Sequence, residues 1–259
     1  MDQASVVTTK LYTHSSKTQW PGMMSFKTAL HKPPSLGRKY LYNGRQNGYD
    51  GWVMPLSPWE DFFRAKITKI FTDSKNVLDI GGGLRIAKDK NNRYSAKNEW
   101  IIPLLAKVDY KVLDPVADYH PDIVGDIHNL PMADNSLDAI TCIAVLEHVK
   151  NPFKAVEEMH RVLKPGEYCY IFVPFLYYYH PMKGYYNDYW RFTSDGIDEL
   201  FKQFSSLEKQ NVRGAIETWI HLSPLAKYKI PNYLAGILDR VFNKLTSNQT
   251  SGFNVFLVK

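Results

Sequence analysis

A carboxylate followed by three glycines is the feature of this sequence best suited to bind a ligand. Asp79 ends a short apolar segment, and Gly81, Gly82 and Gly83 come almost directly after it. Glycines let the backbone approach a ligand closely because they have no Cβ atom. The segment lacks the G-x-G-x-x-G pattern of dinucleotide-binding turns and the Gly-Lys-Ser/Thr of phosphate-binding loops. A carboxylate that opens a glycine turn favours a ligand with a cationic amino group and a ribose; a turn without a ligand is the alternative.

Two further acidic residues follow the next two apolar segments of the chain. Asp114 ends one segment, and its carboxylate can accept hydrogen bonds from both hydroxyls of a ribose. Asp126 follows the next segment and can accept a hydrogen bond from an adenine amino group while Ile127 packs against the ring. Taken alone, Asp114 is better explained as a turn residue at a strand end, and Asp126 is equally compatible with a simple turn. Because all three carboxylates are expected at one edge of a sheet, together they favour a nucleoside-like ligand.

An aromatic segment at residues 174–193 is expected to form the substrate pocket. Aromatic rings with a few polar groups can stack on a sugar or on another ring. The predicted substrate-binding side chains are Tyr177, Tyr179, Tyr189, Trp190 and Arg191. An ordered aromatic loop that only covers the sheet edge is the alternative.

The histidines and carboxylates in and near this segment are candidates for proton transfer or metal binding. His180 has an ordinary pKa near neutrality, so it is the first candidate for a general base, and Asp188 is the second. His148 is interpreted as a packed or capping histidine, and Asp138 and Glu147 are not expected to form a catalytic pair. No cluster of His, Asp and Cys has the spacing of metal ligands, so no metal site is predicted.

The elements that must position these residues alternate along the chain. Strands are predicted at 76–80, 110–113, 121–124, 137–144, 168–173, 207–212 and 253–258. Helices are predicted after the N-caps Ser57, Asn151 and Thr193, and an amphipathic helix is expected at 233–245. Alternation of strands and helices predicts an α/β fold with a doubly wound, mostly parallel sheet.

The chain is expected to consist of one domain preceded by an irregular arm. Residues 1–56 lack periodicity and are rich in turn signals, whereas residues 57–259 carry the predicted strands and helices. Within that domain, residues 77–173 are expected to bind the cofactor. Residues 174–259 are expected to supply the substrate loop and the C-terminal part.

Composition narrows the class of protein. The chain has 259 residues and a formal net charge of +6, but its Lys and Arg residues are scattered, which predicts no dedicated nucleic-acid site. Cys142 and Cys169 lie in apolar segments and are expected to be buried thiols in a reducing compartment. Neither a signal peptide nor a transmembrane segment is recognised, so a cytoplasmic location is expected.

One block of the sequence resembles a known family. It contains Leu-Pro-Met-Ala-Asp-Asn-Ser-Leu-Asp at 130–138, Leu-Glu-His-Val at 146–149 and Arg-Val-Leu-Lys-Pro-Gly at 161–166. With the glycine turn, this block is similar over residues 77–173 to class I S-adenosylmethionine-dependent methyltransferases of the type 11 domain family. The resemblance implies a seven-stranded Rossmann-like sheet with an antiparallel last strand. It also implies S-adenosyl-L-methionine as cofactor, bound at strand ends that include Ala144. Arg85 replaces the third glycine of the family motif, where it would either crowd the methionine end of the cofactor or contact its carboxylate.

The resemblance implies transfer of a methyl group to a small molecule. The segment Asp-Tyr-Trp-Arg-Phe-Thr at 188–193 is similar to one in methyltransferases of sugar and polysaccharide biosynthesis, so a hydroxyl of a sugar or related metabolite is the expected acceptor. A binding protein that has lost catalysis is one alternative, suggested by Arg85. Weak peripheral membrane contact through the 233–245 helix is another, although packing of that helix on the sheet or over the pocket is favoured. A nucleic-acid amino-methyltransferase is the least favoured alternative, because helix capping accounts for Asn151-Pro152-Phe153.

Overall fold

The computed structural model describes residues 57–86 and 94–259. The predicted irregular arm at 1–56 and residues 88–93 of the polar segment after the glycines lie outside the described residues. Within the described residues, the structure is a seven-stranded sheet with helices on its faces.

The sheet confirms the predicted fold class. Its strands are β1 (Asn76–Ile80), β2 (Asp109–Asp114), β3 (Ile123–Val124), β4 (Leu137–Ile143), β5 (Leu163–Pro174), β6 (Ser206–Val212) and β7 (Gly252–Val258). Their order is β3-β2-β1-β4-β5-β7-β6. Strands β1 to β5 are joined by parallel pairings, whereas β7 is antiparallel to both β5 and β6.

Local sequence signals account for the positions of the helices. They are α1 (Pro58–Asp73), α2 (Pro152–Val162), α3 (Ser194–Leu200), α4 (Ala215–Leu222) and α5 (Lys229–Val241). Short 3₁₀ helices span Ala96–Lys107, Ala117–Tyr119, Leu146–His148 and Pro224–Lys227. The predicted caps are confirmed: Glu60 accepts from the Ser57 backbone N–H, Asn151 from Lys154 N–H, and Thr193 from Gly196 N–H. The caps fix where the helices start and therefore where the preceding strands must end.

The core lies on both faces of the sheet because successive strand residues point to opposite sides. In β1, Val77 packs with Ile67 and Ile70 of α1 in one cluster, whereas Leu78 and Ile80 belong to the cluster on the other face. Cys142 and Cys169 are buried free thiols, as predicted.

Chain order creates a crevice at the middle of the sheet. Strand β1 pairs with β2 on one side and with β4 on the other. The connections therefore leave β1 and β4 in opposite directions, which is the switch point where open α/β sheets bind ligands outside the carboxyl ends of their strands. The glycine turn follows β1 at this point.

Two helices near the C-terminus differ from the sequence expectation. Helix α4 was not predicted, and the amphipathic helix α5 packs against α4 and the Pro224–Lys227 turn rather than on the sheet. Asp239 of α5 is fully buried and accepts from the N–H groups of Ile216 and Glu217, which caps α4. Most of the predicted apolar stripe of α5 is therefore left exposed. Among the described residues, no helix combines the length and apolarity that crossing a membrane requires.

Candidate active site

The glycine turn after β1 is shaped by close packing against the end of β4. Gly81 and Gly82 have φ angles of +79° and +60°, a region that glycine enters without a steric penalty. A Cβ atom on Gly81 would lie 2.4 Å from Cγ2 of Val145, and one on Gly83 would lie 2.6 Å from Cβ of Ile143. The absence of side chains at both positions is therefore required by the protein's own packing.

Asp79 holds this turn in place through hydrogen bonds. Its side chain is completely buried, and its carboxylate accepts hydrogen bonds from Leu84 N–H (3.1 Å), the Tyr110 hydroxyl (2.7 Å) and the Thr141 hydroxyl (2.9 Å). Direct contact with a ligand's amino group was the sequence expectation. The burial corrects it, because a side chain without exposed surface positions the turn instead.

Arg85, at the position of the third glycine of the family motif, has a left-handed backbone conformation. Its φ is +51°, its backbone N–H donates to Gly82 O, and its side chain is exposed. The turn therefore tolerates the missing glycine. The exposed guanidinium extends from the last residue of the turn.

The acidic residues of the neighbouring strands occupy the predicted edge. Asp114 closes β2 and accepts from Val116 N–H at 2.9 Å, and the side chain of Asp126 is 66% exposed. Although partial burial opposes it, hydrogen bonds from the His128 backbone and ring hold the pKa of Asp126 below its ordinary value. Ile127 is only 5% exposed and belongs to the core. Its packing against an adenine ring stays a prediction.

Arg161 fixes the loop that follows Asp126, a role not foreseen from the sequence. Its guanidinium donates to Leu130 O, Met132 O and the carboxylates of Asp134 and Glu158. The hydrogen bond from Arg161 lowers the pKa of the Glu158 carboxyl to about 2. The family-like segments at 130–138 and 161–166 are thus joined through one side chain.

Asp188 and Arg191 hold the loop after β5 together. The Asp188 side chain has no exposed surface, and its two oxygens accept from Arg191 Nη1 and Nη2 at 2.6 and 2.7 Å. Arg191 lowers the pKa of Asp188 to about 2. Arg191 also donates to the Tyr177, Tyr178 and Trp190 carbonyls. Both predictions are corrected here: Asp188 is too acidic and too buried to act as the base, and Arg191 is occupied within the loop.

The predicted aromatic residues differ in their exposure. Tyr179 is 72% exposed, and Tyr189 and Trp190 are each 42% exposed. Trp190 is anchored at one edge, because its Nε1 donates to Val149 O at 2.8 Å. Tyr177 is half-buried and stacks on Tyr178 with 4.3 Å between ring centroids. The rings of Tyr179, Tyr189 and Trp190 are therefore exposed to solvent, whereas Tyr177 packs within the loop.

The loop after β5 brings His180 to the residues that follow β4. The backbone N–H groups of Tyr189 and Trp190 donate to Glu147 O at 2.7 and 3.2 Å. His180 Nε2 lies 3.8 Å from Glu147 Oε1, and His148 Nε2 lies 3.9 Å from the same oxygen. Glu147 raises the pKa of His180, partly offset by burial. Two imidazoles and one carboxylate thus meet at the carboxyl edge of the sheet.

From the sequence, His180 was expected to act as a base, Glu147 was given no role, and His148 was expected only to pack or to cap a helix. The signal was nevertheless present. A Glu-His pair follows one strand, a histidine follows the next, and strands β4 and β5 are neighbours in the sheet.

Comparison with known proteins identifies the type of domain. Residues 104–171, from the 3₁₀ helix before β2 to β5, match the methyltransferase domain of the type 11 family. This confirms the resemblance stated from the sequence, together with S-adenosyl-L-methionine as the cofactor it implies. The glycine turn lies outside the matched residues.

Curated relatives match over short segments. A demethylmenaquinone methyltransferase of Paenarthrobacter aurescens is 59% identical over 44 residues, which are 17% of this chain and 17% of that protein. The ubiquinone/menaquinone biosynthesis C-methyltransferase UbiE of Vibrio cholerae is 34% identical over 101 residues, covering 36% of this chain and 38% of the relative. The chain thus spans less than two fifths of the length of either relative.

Solved structures with a similar chain path include a SAM-dependent methyltransferase from Archaeoglobus fulgidus. The two are 12% identical, the TM-score is 0.49, and the match covers 77% of this chain and 94% of the other. A putative methyltransferase in complex with the Haloferax volcanii Trm112 activator is 17% identical with a TM-score of 0.45, and the match covers 77% and 91% of the two chains.

Proposed function

We propose that the protein is an S-adenosyl-L-methionine-dependent methyltransferase that acts on a hydroxyl of a small molecule. The observation that carries the proposal is the convergence of three features at one sheet edge. The glycine turn follows β1, the acidic residues follow β2 and β3, and the His180 cluster follows β4 and β5.

A cytoplasmic location stays a prediction.

The residues at the switch point fit this cofactor chemically. Asp114 offers a carboxylate where ribose hydroxyls are bound in related folds. Asp126 offers an exposed acceptor beyond it for an adenine amino group. The backbone of Gly81 and Gly82 offers the close approach that the methionine part requires, and Arg85 offers a cation for its carboxylate. Ala144, exposed with a φ of +54° at the end of β4, borders the same crevice.

When bound, the cofactor supplies a sulfonium methyl group as the electrophile. The acceptor oxygen forms the new C–O bond as the C–S bond breaks, and the electron pair of that bond stays on sulfur. The hydroxyl proton must leave, and His180 is the proposed acceptor of that proton. Little covalent assistance is required, so positioning and exclusion of water by the aromatic loop supply much of the rate enhancement.

The identity of the acceptor remains a choice between two classes. The sequence of the loop favours a sugar hydroxyl. The matched relatives are named a demethylmenaquinone methyltransferase and a C-methyltransferase of ubiquinone/menaquinone biosynthesis. The exposed rings of Tyr179, Tyr189 and Trp190 suit a hydroxylated aromatic ring equally well, although the second name indicates transfer to carbon. In both classes an ionisable hydroxyl must be placed next to His180.

The test is methyl transfer from methyl-labelled S-adenosyl-L-methionine to a panel of sugars and hydroxyaromatic compounds. We expect labelled product with at least one member of the panel. H180A should then lower turnover by a factor of roughly 10²–10⁴, the range for a lost general base, without weakening the binding of the cofactor. H120N, which removes an exposed imidazole from a position where asparagine tolerates the φ of +50°, should retain parent turnover. Equal turnover in H180A and H120N would exclude His180 from the reaction.

A second candidate function is contact with an anionic membrane surface. Exposed apolar side chains cover α4, α5 and the turn between them, namely Trp219, Leu222, Leu225, Tyr228, Ile230, Tyr233, Leu234, Leu238, Val241 and Phe242. Lys227, Arg240 and Lys244 are exposed in the same segment. An apolar helical surface with cations beside it suits the boundary between lipid headgroups and acyl chains.

Co-sedimentation with vesicles tests this second function. We expect binding to vesicles that contain anionic phospholipid, reduced by salt and by the double variant W219S/V241S. F153S is the matched control, because Phe153 is similarly exposed (54%) on α2. Equal sedimentation of W219S/V241S and F153S would rule the surface out as a membrane contact.

A further inference from the structure

Glu147 is a buried carboxylate without a hydrogen-bond donor. Its side chain is 1% exposed, and neither carboxylate oxygen has a hydrogen-bond donor within the described part of the chain. Burial of an unpaired carboxylate is strongly unfavourable, so such groups are normally paired or bound to a metal. Arg191, a cation of the same loop, is already engaged by Asp188. A positive charge next to Glu147 can come from a protonated imidazole or from a bound cation.

In their neutral forms, the two imidazoles beside Glu147 offer lone pairs at Nε2. His148 Nδ1 lies 2.7 Å from Asn187 O, and His180 Nδ1 lies 3.0 Å from Tyr178 O. Since a carbonyl oxygen only accepts, both Nδ1 atoms carry the hydrogen, and the neutral rings are acceptors at Nε2. A backbone carbonyl that holds the far nitrogen in this way is the usual support of a metal-binding histidine.

The three acceptor atoms point at one small space. Glu147 Oε1 is 3.8 Å from His180 Nε2 and 3.9 Å from His148 Nε2, and the three ligand atoms lie within 4.8 Å of one another. These separations are too long for direct hydrogen bonds. Tetrahedral ligands at about 2.0–2.1 Å from Zn²⁺ are separated by about 3.3 Å, so small side-chain movements bring all three into range.

We propose that Glu147 and the Nε2 atoms of His148 and His180 bind a divalent transition-metal ion of the zinc type. Two imidazoles and one carboxylate form a recognised ligand set of catalytic metal sites, in which a further position stays open. The proposal differs from the sequence expectation of no metal site, because the ligands come from two separate strand ends and their spacing in the sequence does not show them.

The ion would serve the proposed function by binding the acceptor oxygen. A Lewis acid at the open position lowers the pKa of a bound hydroxyl, and the released proton passes to water. In this form His180 is a metal ligand rather than the base. This role rests on the proposed methyl transfer, but binding of the ion does not.

Metal titration of the full chain tests the inference without an activity assay. Protein freed of metal with a chelator is titrated with Zn²⁺ against a chromophoric competitor, and with Co²⁺ to record its visible ligand-field spectrum. We expect one equivalent of each ion to bind, with affinity lowered at least 10-fold in E147Q, H148A and H180A. H120N, which lacks a histidine outside the cluster, should bind like the parent. Binding that is absent, or equal in all four variants, would overturn the site.

Thermal unfolding separates a metal site from a merely structural role. Zn²⁺ should raise the melting temperature of the parent and of H120N but not of E147Q. Without metal, E147Q should melt above the parent, because it removes a buried carboxylate that has no hydrogen-bond donor. A lower melting temperature for metal-free E147Q, together with unchanged Zn²⁺ affinity, would show that Glu147 is structural. Cofactor affinity measured in chelator keeps failure of the metal site distinct from failure of the methyltransferase proposal.

Discussion

Glu147 and His180 approach to 3.8 Å between Oε1 and Nε2, although strand β5 separates them in the sequence. The sheet explains the contact. Strands β4 and β5 are parallel neighbours, with Ile143 paired to Phe172, so the segments that follow them leave the same edge. The fold thus assembles a reactive cluster beside the crevice at which the glycine turn lies.

Gly83 should tolerate no side chain because of its contact with β4. In G83A the new methyl group would meet Ile143 Cβ at 2.6 Å and Ile143 O at 2.8 Å. We expect a loss of about 1–3 kcal/mol in the free energy of unfolding, the scale for overpacking, measured by urea denaturation. G236A is the matched control, because a Cβ atom added to Gly236 of α5 would have no contact shorter than 3.8 Å. Alanine at this helical position should stabilise the protein by up to about 1 kcal/mol. Equal stabilities of the two variants would mean that the turn does not pack as described.

Arg191 should matter for the stability of the loop. R191M leaves the fully buried Asp188 carboxylate without its bidentate partner, and breaking a buried pair in this way costs about 3–5 kcal/mol. R191K keeps the charge but cannot make both hydrogen bonds to Asp188, so its stability should lie between those of the parent and R191M. Hydrogen exchange of the Tyr189 and Trp190 amides, which bind Glu147 O, reports on the loop itself. Unchanged protection in R191M would show that the pair does not hold the loop.

Glu217 predicts a pH dependence of stability. Burial raises its pKa to about 7, so the folded state keeps the proton to higher pH than the unfolded state does, where the ordinary value is 4.5. The unfolded state therefore ionises first, and this residue's contribution to stability is present below pH 4.5 and lost as the pH rises to about 7. At 1.36 kcal/mol per pKa unit, the loss is on the order of 3 kcal/mol.

Denaturation of parent and E217Q across pH 4–8 measures this effect. The free energy of unfolding of E217Q should increase relative to that of the parent between pH 4.5 and 7. Above pH 7 the difference between the two proteins should stay constant. E199Q, at an exposed glutamate of α3 paired with Lys202, should show no such trend. A flat difference for E217Q would contradict the assigned burial.

Local signals made most of the fold predictable from the sequence. The caps Ser57, Asn151 and Thr193 and the apolar segments act within a few residues, so they located the helix starts and strands correctly. Helix α4 was missed because it depends on a distant partner: Asp239, from α5, caps its first turn.

The candidate site was predictable only in part, for the same reason. The strand-end positions of Asp79 and Asp114 followed from local pattern and fold topology. Their surroundings did not, because the burial of Asp79 depends on Tyr110 and Thr141 from two other strands. The pairing of Asp188 with Arg191 likewise required the folded loop to be seen.

Binding of S-adenosyl-L-methionine to the full chain, measured by isothermal titration calorimetry, tests the central claim most directly. We predict saturable one-to-one binding that D114A weakens by about 1–3 kcal/mol, the scale for lost hydrogen bonds to a charged group. D61N, at an exposed carboxylate in the first turn of α1, should bind like the parent. Nicotinamide cofactors should not bind. Absence of S-adenosyl-L-methionine binding by the parent, or equal affinities of D114A and D61N, would contradict the account.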